Sequence, residues 1–136
     1  MQTPLETRIH SFLASGPYAV VGASTDRSKY GNKVLRCYQQ HDLEVYPINP
    51  KAPEVEGLHA YVSLAALPRK VTGISVITPP AVTASVVQEA IHAGVKRIWM
   101  QPGAEDPAAI RAAEDAGLEV IAGGPCLLVV LGYKES

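Results

Sequence analysis

Residues 20 to 34, "VVGASTDRSKYGNKV", decide how the chain is read. Two valines run into Gly22, and the next glycine, Gly31, follows only after a polar, partly charged stretch ending Ser28, Lys29, Tyr30. A strand that enters a glycine lets backbone approach a ligand closely. A helix starting near Gly31 or Asn32 then points free N–H groups and the positive end of its dipole at the same place, which suits phosphate. Ser24, Thr25 and Ser28 add hydroxyls and Lys29 a charge, each charge-assisted hydrogen bond contributing roughly 1.5–3 kcal/mol. The spacing is not the usual glycine fingerprint. The same turn-forming residues also suit a plain surface connection.

Working outward, "YAVVG" (18–22) reads as a buried strand, and "NKVLRCYQQH" puts Val34, Leu35 and Tyr38 on one helical face. "EVYPINP" (44–50) is a second strand stopped by proline, completing a βαβ unit. The connection "KAPEVEGLHAYVSLAALP" ends in a short helix before "GISVI", a third strand. Residues 82–93 place Val82, Val86, Ala90 and Ala93 on a stripe with Val87 and Ile91 beside it, and Gly94 closes this helix. "RIWM" gives a fourth strand, Pro107 starts the helix "AAIRAAEDAG" that Gly117 stops, and "EVIAG" is a fifth strand. Five strands alternating with helices predict a three-layer α/β/α sandwich around a mostly parallel sheet.

The chain has 136 residues, 47% of them hydrophobic, enough for one core and a single domain over 1–136. A net charge of -1 supplies no global basic field, so neither nucleic acid nor a membrane surface is an expected partner. No apolar run approaches the ~20 residues of a membrane span, and the opening "MQTPLETRIHSFLASG" is mixed and polar with no signal core, so a cytoplasmic location is expected. Cys37 and Cys126 are far apart and lack a CxxC partner, so neither a zinc site nor a dithiol motif is indicated.

In such sheets ligands bind beyond the carboxyl ends of the strands. Those positions read Gly22-Ala23-Ser24, Asn49-Pro50-Lys51, Thr78-Pro79-Pro80, Gln101-Pro102-Gly103 and Gly123-Gly124-Pro125-Cys126, all small, polar or proline-rich. NAD asks for an Asp or Glu after the second strand, where this chain has Asn49 and Lys51. Lysine there suits a ribose carrying its own phosphate, as in coenzyme A or NADP, or else simply solvates a loop.

"VVGASTDRSKYGNKVLR", "VYPINPKAPEVEGLHAYVSLAALP", "IWMQPGAED" and "GGPCLLV" together resemble the small free-standing CoA-binding domain proteins, relatives of the CoA-binding domain in the alpha subunit of succinyl-CoA synthetase. The likeness runs over about residues 8 to 131. It implies a Rossmann-like domain with Gly22, Ala23, Ser24, Lys29, Tyr30 and Gly31 around the pyrophosphate of CoA. It further implies Asn49, Pro50 and Lys51 near the adenosine and its 3′-phosphate, Thr78, Pro79 and Val82 flanking the adenine, and Gln101, Pro102 and Gly103 facing the pantetheine arm. Two stretches depart from the small proteins: "ITPP" stands where many carry Arg-Arg-Pro, and Gly124-Pro125-Cys126 where Arg-Cys-Pro is common.

The synthetase works through a phosphorylated histidine on a second domain and an ATP-grasp partner, and 136 residues are expected to hold neither. His10, His41, His59 and His92 follow no strand end and read as surface or loop residues. No nucleophile–base arrangement or carboxylate pair emerges. The expectation is a non-catalytic protein for CoA or acyl-CoA, acting as a carrier, a sensor or a subunit presented to an unidentified protein partner or to a second copy as a homodimer. The alternative is an NADP-dependent oxidoreductase or other nucleotide enzyme. Cys126 reads either as a thiol facing the pantetheine end, with a helix start lowering its pKa and a mixed disulfide with CoA as its chemistry, or as a small residue packed with Leu127 and Leu128. Cys37, Trp99 and Met100 read as packing residues.

Overall fold

All four residues of Tyr18–Val21 are buried, which a strand achieves inside a sheet covered on both faces. In the computed structural model, which describes residues 3–135, the chain runs α1 (Leu5–Ala14), β1 (Tyr18–Val21), α2 (Tyr30–Gln40), β2 (Val45–Ile48), β3 (Glu54–Val55), β4 (Leu58–His59), β5 (Gly73–Val76), α3 (Pro80–Ala93), β6 (Arg97–Met100), α4 (Pro107–Asp115) and β7 (Glu119–Ile121). A 3-10 turn at Leu64–Ala66 precedes β5, and a π-helical turn at Leu128–Gly132 follows β7. The five long strands pair in parallel in the order β2-β1-β5-β6-β7. This is the Rossmann-like α/β sandwich that the alternation predicts, with β3 and β4 forming a separate antiparallel hairpin.

The period of two sorts the side chains between layers. Ala19, Val21, Ile74, Val76, Ile98 and Met100 pack with Val86, Val87, Ala90, Ala109 and Ala113 of α3 and α4. Tyr18, Val20 and Trp99 point the other way, onto Phe12 of α1 and Val34, Leu35 and Tyr38 of α2. Here rings stack: Phe12 and Tyr18 at 5.2 Å between centroids, Tyr18 and Tyr38 at 5.0 Å, with Trp99 edge-on to Phe12 at 5.3 Å. The two phenols buried with them are satisfied, Tyr18 donating to the Phe12 carbonyl and Tyr38 pairing with Ser75, each at 2.7 Å. Such pairing is what makes burying a polar tip tolerable. Cys37, Trp99 and Met100 are fully buried, in line with their reading as packing residues.

Three features depart from the sequence reading. The opening segment is not merely polar: Leu5–Ala14 forms α1, whose Phe12 closes the aromatic layer while Glu6 is exposed and Arg8 donates to the Val120 carbonyl of β7. The stretch 51–68 holds the β3–β4 hairpin before its short helical turn. Along α3, Thr83 rather than Val82 continues the buried stripe with Val86, Val87 and Ala90; Val82, in the first turn, is 44% exposed. The ends placed by Gly94, in left-handed backbone, and by Pro107 are as expected.

Candidate functional site

The register fixes a row of residues at one end of the sheet. Val21 pairs with Ile48 and with Val76, and Val76 with Met100. Their successors Gly22, Asn49, Ile77 and Gln101 therefore stand side by side, tied by Ile77 N–H to the Val21 carbonyl at 2.8 Å and Gln101 N–H to the Val76 carbonyl at 3.1 Å. Strand order reverses between β1 and β5: α2 leaves β1 over one face and α3 leaves β5 over the other. A crevice opens at such a switch point.

Two glycines set how closely the chain packs there. Gly22 takes φ +100°, and a Cβ there would lie 2.3 Å from the Ile77 carbonyl oxygen. A Cβ on Gly31 would lie 2.0 Å from the Gly22 carbonyl oxygen. Hydrogen at both positions lets the first turn of α2 sit directly on the end of β1. The helix begins at Tyr30, a residue or two ahead of the sequence-predicted start, with Lys29 in extended backbone (φ -85°, ψ 150°) as its uncapped N-cap. The Asn32 and Lys33 amides turn back to the Lys29 carbonyl at 3.2 and 3.1 Å, which leaves the Tyr30 and Gly31 amides at the open end.

The loop from Ala23 to Lys29 is held by its own side chains and by a layer beneath it. Ser24 Oγ accepts from the Asp26 amide at 3.0 Å, and Asp26 accepts from the Ser28 amide at 2.9 Å and the Ser28 hydroxyl at 2.7 Å. Those two bonds, the hydroxyl first, hold the Asp26 carboxyl below the usual aspartate range. Asn32 donates to the Ser24 carbonyl at 2.8 Å and to Glu56 at 3.0 Å. Arg36 donates to Asn32 at 2.7 Å and to the Arg27 carbonyl at 2.8 Å, and Arg27 pairs with Glu56 at 2.6 Å. The tip of the β3–β4 hairpin thus clamps the loop to α2. Sequence reasoning missed Asn32, Arg36 and Glu56 in this role.

The other sequence-predicted positions all follow strand ends. Asn49 donates to the Ala23 carbonyl at 3.0 Å and accepts from the Lys51 and Ala52 amides, joining the β2 and β1 loops. Pro50 and Lys51 are exposed beside it. Thr78 meets Thr83 at 2.8 Å, and Thr83 ties on to the Ala104 carbonyl; Pro79 and Val82 are exposed on the same rim. Pro102 and Gly103 are exposed, the Gly103 amide donating to Glu105. Gln101 is fully buried, its Oε1 accepting from Tyr30 Oη at 3.0 Å and the Leu127 amide at 2.9 Å. Tyr30 Oη also meets Cys126 Sγ, and its phenol pKa is raised by burial and then by that thiol. Hydrogen bonds therefore join the Gly22 loop to Asn49 and, through it, to the Lys51 amide, and Tyr30 to Gln101 and Cys126; among the described residues none directly joins Thr78, Pro79 or Val82 to that group.

The electrostatics of the rim are simple. Lys29 and Lys51 are exposed and enter no ion pair among the described residues, whose five salt bridges involve other cations. Two free ammonium groups, the open amides of α2 and hydroxyls at Ser24 and Thr25 suit a ligand carrying several phosphates. A cavity of about 510 Å³ lies elsewhere, between the 3-10 turn and the end of α3, lined by Leu64, Leu67, Lys70, Glu89 and His92. It is at the amino end of the strands, away from the crevice, and we give it no part in the site. His10, His41, His59 and His92 are all exposed, and none belongs to the crevice. No helix among the described residues is long and apolar enough to cross a membrane.

A glycine-framed loop and helix start at the switch point of a five-stranded parallel sheet define a Rossmann-like α/β protein. The chain belongs to the CoA-binding domain family, whose model matches residues 17–132. It is similar to an ADP-forming acetate–CoA ligase of Archaeoglobus fulgidus, 27% identical over 119 residues, which are 80% of this chain and 17% of the ligase. It therefore spans only a small part of that enzyme. Among solved structures it resembles a conserved hypothetical protein of Pyrococcus furiosus (42% identity, TM-score 0.78, covering 83% of this chain and 97% of the other). It also resembles a hypothetical protein of Pyrococcus horikoshii (30% identity, TM-score 0.87, covering 93% and 89%).

Proposed function

We propose that residues 1–136 form a single domain that binds CoA or acyl-CoA and holds it without transforming it. The observation that carries this reading is the seat of Gly31 on the Gly22 carbonyl, which brings an uncapped helix start and the free Lys29 to the end of β1. In a chain of the CoA-binding domain family, such a donor set suits the pyrophosphate. Lys29, the Tyr30 and Gly31 amides and Ser24 would hold it, with Ala23 and Gly22 letting the ligand come close. Lys51, beside Asn49 and Pro50, would meet the 3′-phosphate of the ribose; Thr78, Pro79 and Val82 would border the adenine, and Gln101, Pro102 and Gly103 the pantetheine arm. Amides, hydroxyls and lysines dominate the crevice, and these hold a ligand rather than move its bonds.

Calorimetric titration of the reduced protein tests the reading. CoA is expected to bind saturably, NADP much more weakly, and Lys29→Ala to weaken CoA by about tenfold, the loss of one charge-assisted bond. 3′-Dephospho-CoA is expected to bind less tightly than CoA. Equal affinity for the two forms would remove Lys51 from the site, and absence of CoA binding would overturn the reading as a whole.

A further inference from the structure

The crevice contains a cluster that holding phosphates does not require. Cys126 is half-buried beyond β7, and its Sγ meets the hydroxyl of Tyr30, the first residue of α2. The same hydroxyl bonds Gln101 Oε1, which also accepts the Leu127 amide. An N–H donor at Leu127 fixes the carboxamide: its oxygen faces Leu127 and Tyr30, so Tyr30 gives its proton to Gln101 and turns its oxygen lone pairs to the thiol. Gln101 is fully buried, its carboxamide is turned into this cluster, and its Nε2 has no partner. A buried donor left unmade costs free energy, and beside a thiol it asks for an acceptor that the described residues do not supply. The pantetheine arm of CoA carries amide carbonyls close to its sulfur.

We propose that Cys126 is a thiol-exchange site for CoA disulfides, seated where the arm of bound CoA ends. This deepens the CoA-binding reading and rests on it. The Cys126 thiol gives up its proton to solvent, and the thiolate attacks one sulfur of a CoA disulfide. The disulfide bond breaks as the Cys126–S–CoA bond forms, and the departing CoA thiolate takes a proton. Cys126 is oxidised and one CoA half is reduced, so the exchange balances with CoA disulfide as the sole co-reactant. Tyr30 and Gln101 act as positioning residues, the phenol holding the sulfur at the mouth of the site. Cys37 is no competitor: it is fully buried, and burial, then Cys126, pushes its thiol up to about 11.

The test is intact-mass spectrometry of the reduced protein incubated with CoA disulfide, alongside glutathione disulfide at equal concentration and calorimetry with CoA. The expected result is one CoA adduct, formed on Cys37→Ser, absent on Cys126→Ser and released by dithiothreitol. CoA disulfide should react at least about tenfold faster than glutathione disulfide, and Lys29→Ala should erase that preference while leaving the glutathione rate unchanged. Tyr30→Phe, which removes the hydroxyl that holds the sulfur, should slow exchange with CoA disulfide and glutathione disulfide alike. A protein that binds CoA by calorimetry yet forms no adduct, or reacts equally with both disulfides, overturns the exchange site and leaves the binding reading standing. A protein that neither binds CoA nor forms an adduct overturns both.

Discussion

Two helices begin at the same end of the sheet and begin differently. At α4, Asp106 takes the N-cap position in extended backbone, its Oδ2 accepts the Ala109 amide at 2.9 Å, and Pro107 fills the first helical position. At α2, Lys29 takes that position in equally extended backbone, and no side chain caps the turn. An aspartate is present nearby, but Asp26 spends its carboxylate on Ser28 within the loop. One start is finished by its own sequence and the other is left with open amides and an exposed lysine. Helices α1 and α3 also start without a side-chain cap, each behind a proline; what sets α2 apart is a lysine at that position above a glycine seated on a strand end, which suits the anion proposed above.

The contrast breaks most visibly at Gly31. In the first turn of α4 the chain carries Ala108 and Ala109, with Ala109 packed into the core. Gly31→Ala puts a methyl 2.0 Å from the Gly22 carbonyl, with backbone rather than a flexible side chain as its neighbour. We expect a loss of about 3 kcal/mol in urea unfolding at unchanged m-value, and no measurable CoA binding. An alanine tolerated within about 0.5 kcal/mol would mean that α2 does not rest on β1 as described.

The next largest effect comes from making the two starts alike. Lys29→Asp gives α2 the cap that α4 has, in backbone already suited to it. The free protein should gain about 0.5–1 kcal/mol in thermal unfolding, while CoA affinity falls by more than about tenfold as a cation is replaced by an anion. Stability and affinity moving in opposite directions is the signature; both moving together would make Lys29 structural. The reciprocal change is smaller and one-sided: Asp106→Ala should cost about 1 kcal/mol of stability and leave CoA affinity unchanged.

The layers and the strand order's consequences were legible because apolar runs of four or five residues, "YAVV", "GISV" and "RIWM", are separated by helical stripes with Gly94 and Pro107 as punctuation. The strand ends were legible for the same reason, and Gly22 and Gly31 stood out as glycines framing a polar loop. Helix α1 was not, since its apolar Leu5, Ile9, Phe12 and Leu13 are diluted by charge and its worth lies in a long-range fit: Phe12 rests where a Cβ on Gly73 would lie 2.9 Å away. The clamp of Asn32, Arg36 and Glu56 was hidden likewise. Glu56 meets Asn32 across 24 residues only because the β3–β4 hairpin folds over the loop, and a two-residue strand pair leaves almost no periodic signal. The Tyr30–Gln101–Cys126 cluster joins three strand-end segments, each visible alone, whose contact depends on side-chain direction.

The smallest effect concerns Asp26, the carboxylate that α2 does without. Its folded pKa is depressed by the Ser28 hydroxyl and amide, so the stabilisation it gives the loop is fully present above the ordinary aspartate value of about 3.9. It is lost as pH falls through the lower, folded value. Loop order should therefore be flat from neutrality down to about pH 5 and change only in the acid range. CoA phosphates titrate too, so the clean observable is the amide proton shift of Ser28 in the free protein, with Asp26→Asn as the control. A midpoint below about 3.9 that vanishes in the variant keeps Asp26 as the loop's own cap. A midpoint at or above that value would mean the carboxylate is not held by Ser28 and is free to turn toward the α2 amides, and the difference between the two helix starts would shrink to a matter of which aspartate is nearer.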